Sequence, residues 1–276
     1  MLFSVNTLGC PDWDLNKIIA FSKEIGISCL EIRGIQGKMT VTDIPEFSDE
    51  GYVDLKEKLK KNGIKIIGFG CSSSFHDPKR CGDAFDEAVN AINFCDKAGI
   101  GFVRIFGNNV PDAEKEAEII ERVAYYSDKL CQYAKEIARN CQAPVNVLLE
   151  AHGDFNTAER LCAVCKKVKN DNFGIIWDVA HVDRAYRDQY MSFYNALKPY
   201  IKHVHFKDHR KCGDEFKLCS VGEGDISLIE ILELLNKDNF NGCISIEHEK
   251  KWHPELSEPE VEFKRFAELV RPYMST

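Results

Sequence analysis

The stretch IKHVHFKDH, residues 201–209, sets His203, His205 and Lys207 at a spacing of two. In a β-strand that spacing sends all three side chains to one face. If the face is internal, each needs a partner, because an unpaired buried imidazole or ammonium is costly or changes its protonation state. Partners stand at the ends of other β-rich runs. Glu150 and His152 close VNVLLEAH, Asp178 and His181 close FGIIWDVAH, and Glu247, His248 and Glu249 close GCISIEHE. Carboxylates and imidazoles at the ends of consecutive strands form a hard, oxygen-rich donor set when those ends converge. Three carboxylates with one imidazole suit one divalent ion per chain, with Mn²⁺ or Mg²⁺ preferred and Zn²⁺ or Co²⁺ tolerated. General acid–base work needs groups that titrate near neutrality. His152, His181 and Lys207 are the candidates, the lysine lowered by an adjacent cation.

The elements that must position these residues repeat along the whole chain. Eight short β-rich runs, LFSVNTL, CLEIRG, IKIIGFG, GFVRIFG, VNVLLEAH, FGIIWDVAH, IKHVHFKD and GCISIEHE, alternate with amphipathic helical runs. In DAFDEAVNAINFCDKAG the apolar positions Phe85, Ala88, Val89, Ile92 and Cys95 recur at three and four, and Gly99 supplies the stop. Strands joined by helical crossovers pair in parallel, and eight such units close a (β/α)8 TIM barrel. A doubly wound open sheet is the alternative, but the turn NTLGCPDWDL after the first run lacks the glycine-rich phosphate loop of that fold. A length of 276 residues with no composition shift fits one domain over residues 1–276. Loops IQGKMTVTDIPEFSDEG and HRKCGDEFKLCSVGEGD are expected on the C-terminal face, where such barrels carry their sites.

Composition narrows the function classes. A net charge of −8 offers no general attraction to nucleic acid or to an anionic membrane, which leaves a small-molecule partner. No run approaches the length of a membrane span and the N-terminus has no secretory pattern, so a cytoplasmic location is expected. Twelve cysteines scattered over so long a chain read as reduced thiols, and Cys162 and Cys165 as helix core.

The ordered set LLEAHGDF, IWDVAHV, HVHFKD, VGEGDI and GCISIEHE resembles the xylose isomerase-like TIM barrels over essentially the whole chain. That superfamily includes sugar isomerases, keto-sugar epimerases, inosose and dehydroshikimate dehydratases, and apurinic endonucleases. The resemblance implies metal ligands at Glu150, Asp178, His205 and Glu247. It also implies an isomerase or epimerase of a keto-sugar or related polyol, working by proton abstraction next to a metal-bound carbonyl, with Glu150 and Glu247 exchanging protons with substrate. Dehydration is the alternative, because Glu150 with His152 and His205 with Lys207 match the dehydratases as well. The endonuclease branch needs histidines at the ends of strands three and four and an aspartate-x-histidine after strand seven. Here His76 is displaced into a loop, RIFGNN has no histidine, and the last motif is missing. Glu31, Arg104 and Trp252 are expected around a carbohydrate substrate at the barrel mouth. Homo-oligomers are common in the resembling family.

Overall fold

In the computed structural model, which describes residues 1–138 and 143–274, eight parallel strands close a barrel. The strands in chain order are β1 (Leu2–Asn6), β2 (Cys29–Ile32), β3 (Lys65–Ser74), β4 (Phe102–Phe106), β5 (Asn146–Glu150), β6 (Phe173–Asp178), β7 (Ile201–Phe206), a hairpin of β8 (Asp208–Cys212) and β9 (Glu215–Cys219), and β10 (Cys243–Ile246). Around the barrel the order is β1-β10-β7-β6-β5-β4-β3-β2, so each strand lies beside its sequence neighbour in the ring and β1 closes on β10. The helices are α1 (Leu15–Glu24), α2 (Asp49–Asn62), α3 (Cys81–Ala98), α4 (Glu116–Ile137), α5 (Ala158–Cys165), α6 (Val179–Tyr186), α7 (Tyr190–Leu197), α8 (Leu228–Lys237) and α9 (Pro259–Val270). Gly99 ends α3 in the left-handed conformation, with φ of 72°, as its sequence position predicts. Among the described residues no helix is long and apolar enough to cross a membrane.

Both faces of the strands are buried, and the period of two divides them. Outward residues such as Val103, Leu149, Ile175, Trp177, Val204 and Ile244 join the helices in one large apolar core. Inside the barrel a separate small cluster of Phe102, Leu148 and Ile176, with Ile67 against it, fills the floor. Two residues further along the same strands the inward chemistry changes from apolar to ionic, to Arg104, Glu150 and Asp178. β3 clears space for its neighbours. A Cβ on Gly68 would lie 2.1 Å from the Phe102 ring, and one on Gly70 would lie 2.6 Å from Arg104 Nη2.

Two local readings of the sequence change. The run expected as a loop after strand seven folds in part as the β8–β9 hairpin, paired from Asp208 with Cys219 to Cys212 with Glu215. Its base is held by Asp208, whose carboxylate accepts backbone N–H groups of His209, Gly222, Gly224 and Ile226. A Cβ on Gly224 would lie 2.0 Å from Asp208 Oδ1, so the glycine lets the GEGD backbone wrap the carboxylate. The sixth strand stops at Asp178 instead of continuing to His181. The side chain of Asp178 caps α6 by accepting from the Ala180 and His181 amides at 2.9 Å, which turns the chain from strand to helix within one residue. Cys165 is buried in α5 and Cys162 half-buried beside it. The described cysteines are free thiols, and Cys141 lies outside the described residues.

Candidate metal centre and substrate cavity

The inward side chains of β7 descend as a column through the barrel. His203 is deepest, His205 lies opposite Asp178 of β6 and Ser245 of β10, and Lys207 follows just beyond the strand. Glu31 of β2, expected at the mouth as a substrate contact, is instead completely buried below it. Its Oε2 lies 2.9 Å from His203 Nε2 and its Oε1 lies 3.0 Å from His205 Nε2. Burial would raise this carboxyl, but His205 and His203 together hold it well below the usual range. An ionised carboxylate only accepts hydrogen bonds, so in neutral His205 the proton sits on Nε2 and the lone pair on Nδ1.

That Nδ1 faces Glu247 Oε1 at 3.4 Å and Glu150 Oε1 at 3.6 Å, and it has no hydrogen-bond partner although it is buried. Asp178 Oδ2 and Glu150 Oε2 are likewise buried without a hydrogen bond, each beside a cation: Lys207 Nζ at 2.7 Å and Arg104 Nη1 at 3.0 Å. Donor atoms of Glu150, Asp178, His205 and Glu247 all lie within 4.8 Å of one another. Buried, unsatisfied and mostly anionic, this set fits a divalent cation of the oxygen-preferring kind. Glu31 lies behind this set and accepts from His205 Nε2, a contact that would orient the imidazole toward an ion. Among the described residues the other potential ligand group is Glu31 with His203 and His205, whose facing atoms are already bonded to each other.

Lys207 spans the mouth side of this set. Its Nζ lies 2.7 Å from Asp178 Oδ2, 2.7 Å from Glu247 Oε2 and 2.6 Å from Glu249 Oε1. Burial would lower its pKa, yet Asp178, Glu247 and Glu249 hold it well above the usual lysine range. In the ion-free protein the carboxylates around the lysine outweigh desolvation, and the lowering expected from the sequence is the effect that an adjacent metal cation would add to this balance. Glu247 is pushed up by burial but held well below the usual range by His205 and Lys207. Burial and Glu247 both raise Glu150, and Arg104 and His205 more than offset them. Asp178 moves the other way: burial lifts it to about 7 in spite of Lys207.

A cavity of about 230 Å³ opens above this cluster, lined by Glu150, Glu247, Lys207, Arg104, His152 and Trp252 among others. Its lining is largely charged or polar, which suits a small, hydroxyl-rich molecule. His152 donates from Nδ1 to Asn108 Oδ1 at 3.0 Å, leaving Nε2 as the available nitrogen. Burial lowers its pKa despite Glu150, so the ring is a neutral base at pH 7. His181 packs behind it at 4.2 Å between ring centroids and is lowered further by burial, Lys207 and His152. It does not line the cavity and faces His152 instead. Arg104 is buried over the Phe106 ring, 3.9 Å from its centroid, and Trp252 stands exposed at the rim. His248 points away and bonds the Ser257 carbonyl at 2.8 Å.

Four further residues belong to the site: Glu249, a partner of Lys207 as well as a strand-end acid, and Arg33, Ser72 and Asn108, which line the cavity. Arg33 stands in EIRG two positions after Glu31, so alternation alone could have put it on the same face.

Solved structures share the architecture. The IolI protein, solved with a bound zinc atom, aligns over 100% of both chains at 19% identity with a TM-score of 0.77. D-psicose 3-epimerase of Clostridium cellulolyticum H10, solved with D-tagatose, aligns over 99% of each chain at 18% identity and a TM-score of 0.73. The probable 3-DHS dehydratase AsbF of Bacillus anthracis aligns over 96% of this chain and 98% of its own at 16% identity and a TM-score of 0.74. In sequence, an uncharacterised protein of Methanocaldococcus jannaschii, MJ1311, is 25% identical over 170 residues, which span 55% of this chain and 57% of that relative. The family model for the xylose isomerase-like TIM barrel matches residues 19–269, nearly the whole barrel, and the chain belongs to that family.

Proposed function

We propose that this protein is a divalent-metal-dependent isomerase or epimerase of a keto-sugar or related polyol. The observation that carries the reading is the pair Glu150 and Glu247, whose Oε1 atoms approach His205 Nδ1 at 3.6 and 3.4 Å from two different strand ends. With Asp178 they would hold one ion, with Mn²⁺ or Mg²⁺ the favoured choices for three carboxylates and one imidazole. When bound, such an ion supplies Lewis-acid polarisation of a carbonyl, which acidifies the neighbouring C–H. The remaining work falls to the chain. Arg104 and Lys207 keep the two glutamates ionised and fixed in place. Neutral His152, oriented by Asn108, can take or return a proton at Nε2. Trp252 offers an apolar wall at the rim for one face of a sugar.

A second reading, dehydration of a β-hydroxy ketone, rests on Lys207. Its ammonium lines the cavity 2.7 Å from both Asp178 Oδ2 and Glu247 Oε2, a proton donor placed beside the position of a departing hydroxyl once His152 or a glutamate has removed the proton. Both reactions start with the same C–H cleavage and diverge afterwards. Keto-sugars, inososes and 3-keto-glycosides incubated in D₂O with Mn²⁺ and followed by NMR and mass spectrometry separate them. Deuterium at the abstracted carbon of a product with the substrate's elemental composition is the expected result. Loss of water with a new ultraviolet-absorbing enone would replace the isomerase reading by the dehydratase one.

A further inference from the structure

Two arginines meet inside the barrel in front of a glycine. Arg33 follows β2, Arg104 lies on β4, and Gly70 of β3 stands between them. A Cβ on Gly70 would be 2.8 Å from Arg33 Cδ and 2.6 Å from Arg104 Nη2, so β3 is cut back to admit both side chains. Like charges brought together under burial repel, and each needs its own anion. Arg104 has Glu150 at 3.0 Å. Arg33, only 9% exposed, donates from Nη2 to the Ser72 hydroxyl at 2.9 Å, and its Nη1 is buried with no hydrogen-bond partner. Among the described residues no carboxylate lies within 4.0 Å of its guanidinium. Nearby acids are committed elsewhere: Glu87 accepts from the Ser72 amide and the Ser73 hydroxyl at 2.9 Å each, and Glu247 from Lys207 at 2.7 Å. The Arg33 backbone is also fixed, its N–H donating to Thr7 Oγ1 at 2.8 Å, so the side chain projects from a rigid base. Yet Arg33 lines the same cavity as Glu150 and Glu247.

We propose that Arg33 anchors an anionic group of the substrate, so that the site takes an acidic keto-polyol, carrying a carboxylate or a phosphate, in preference to a neutral keto-sugar. A guanidinium matches either anion with a two-pronged hydrogen-bond fork, and a cavity of about 230 Å³ brings that anchor and the ligand cluster within reach of one small molecule. This deepens the reading above and rests on it for the identity of the reacting end.

The test is calorimetric titration of wild type, Arg33→Met and Arg33→Lys, each with and without Mn²⁺, using D-fructose, 5-keto-D-gluconate and D-fructose 6-phosphate. In wild type, one of the two anions is expected to bind roughly tenfold or more tighter than fructose. Which of them does so identifies carboxylate or phosphate as the anchored group. Arg33→Met should erase the preference, Arg33→Lys should keep part of it, and added salt should shrink it. Fructose binding as well as both anions, equal weakening of all three ligands in Arg33→Met, or no binding by either anion would each overturn the proposal. Circular dichroism establishes that the variants fold, and the wild-type preference decides the matter if Arg33→Met does not. The metal-free arm keeps the two readings apart. An Arg33-dependent preference without any Mn²⁺ uptake would sink the metal reading alone, whereas Mn²⁺ uptake without the preference would sink this one.

Discussion

Glu247→Gln is expected to lower turnover by about 10³-fold or more, the scale of losing a ligand and a proton-handling carboxylate together. The residue faces His205 Nδ1 with one oxygen and Lys207 with the other, at 3.4 and 2.7 Å, so glutamine removes an anionic ligand and the countercharge of a buried lysine in one change. Glu249→Gln is the control. Glu249 also touches Lys207, at 2.6 Å, but its side chain is 18% exposed and lies outside the ligand group, so a loss below about tenfold is expected. Steady-state rates for both variants, on whichever substrate exchanges deuterium, check the contrast. Equal losses would show that Lys207, and not the ligand cluster, carries the effect.

Lys207→Met should destabilise the metal-free protein by about 3–5 kcal/mol, the range for breaking a buried ion pair on one side. Its ammonium is the cation shared by Asp178, Glu247 and Glu249. Without it three carboxylates face each other, and some must take up protons at neutral pH to relieve the repulsion. Adding Mn²⁺ should recover part of the loss, because binding to the folded state alone stabilises it. Urea denaturation in EDTA and in Mn²⁺ measures both terms. A loss under about 1 kcal/mol in EDTA would mean that the three acids are already neutralised in another way.

The fold was legible because its signal is periodic. Outward apolar and inward mixed positions alternate in the barrel strands, and the helices between them carry Leu, Ile and Phe at three and four, so the eight units can be counted from the residues alone. The candidate ligands are legible in two steps: acids and imidazoles stand at strand ends, which converge in a barrel, and the resemblance to the xylose isomerase-like barrels picks Glu150, Asp178, His205 and Glu247 from among them. What the chain did not reveal depends on register between distant segments. Glu31 and its histidine partners are separated by 172 and 174 residues, and only closure of β1 onto β10 brings β2 across the barrel from β7. Read alone, a glutamate near a strand end looked like a substrate contact. The cage around Lys207 depends on register in the same way, since its three carboxylates come from β6 and from the segment after β10. The hairpin after β7 hid in a polar run whose pairing depends on Gly213, at φ of 65°, at its turn, and on Asp208 at its base. Polar edge strands lack the hydrophobic alternation by which the barrel strands were found.

The account stands on the ligand cluster, and Mn²⁺ titration of the purified protein at several pH values tests it most directly. Uptake of one ion per chain is predicted, with affinity rising as pH is raised through about 7. The sign follows from the groups that must shed protons: burial lifts Asp178 to about 7, and His205, which burial alone would lower, is held well above the usual imidazole range by Glu247, Glu31 and Glu150. Below those values protons compete with the ion, and above them the competition ends. Asp178→Asn should weaken uptake most above about pH 7, where the wild-type carboxylate is ionised, and flatten the pH dependence. A protein that takes up neither Mn²⁺ nor Mg²⁺, Co²⁺ or Zn²⁺, or that binds Mn²⁺ equally well with Asp178→Asn, would contradict the account.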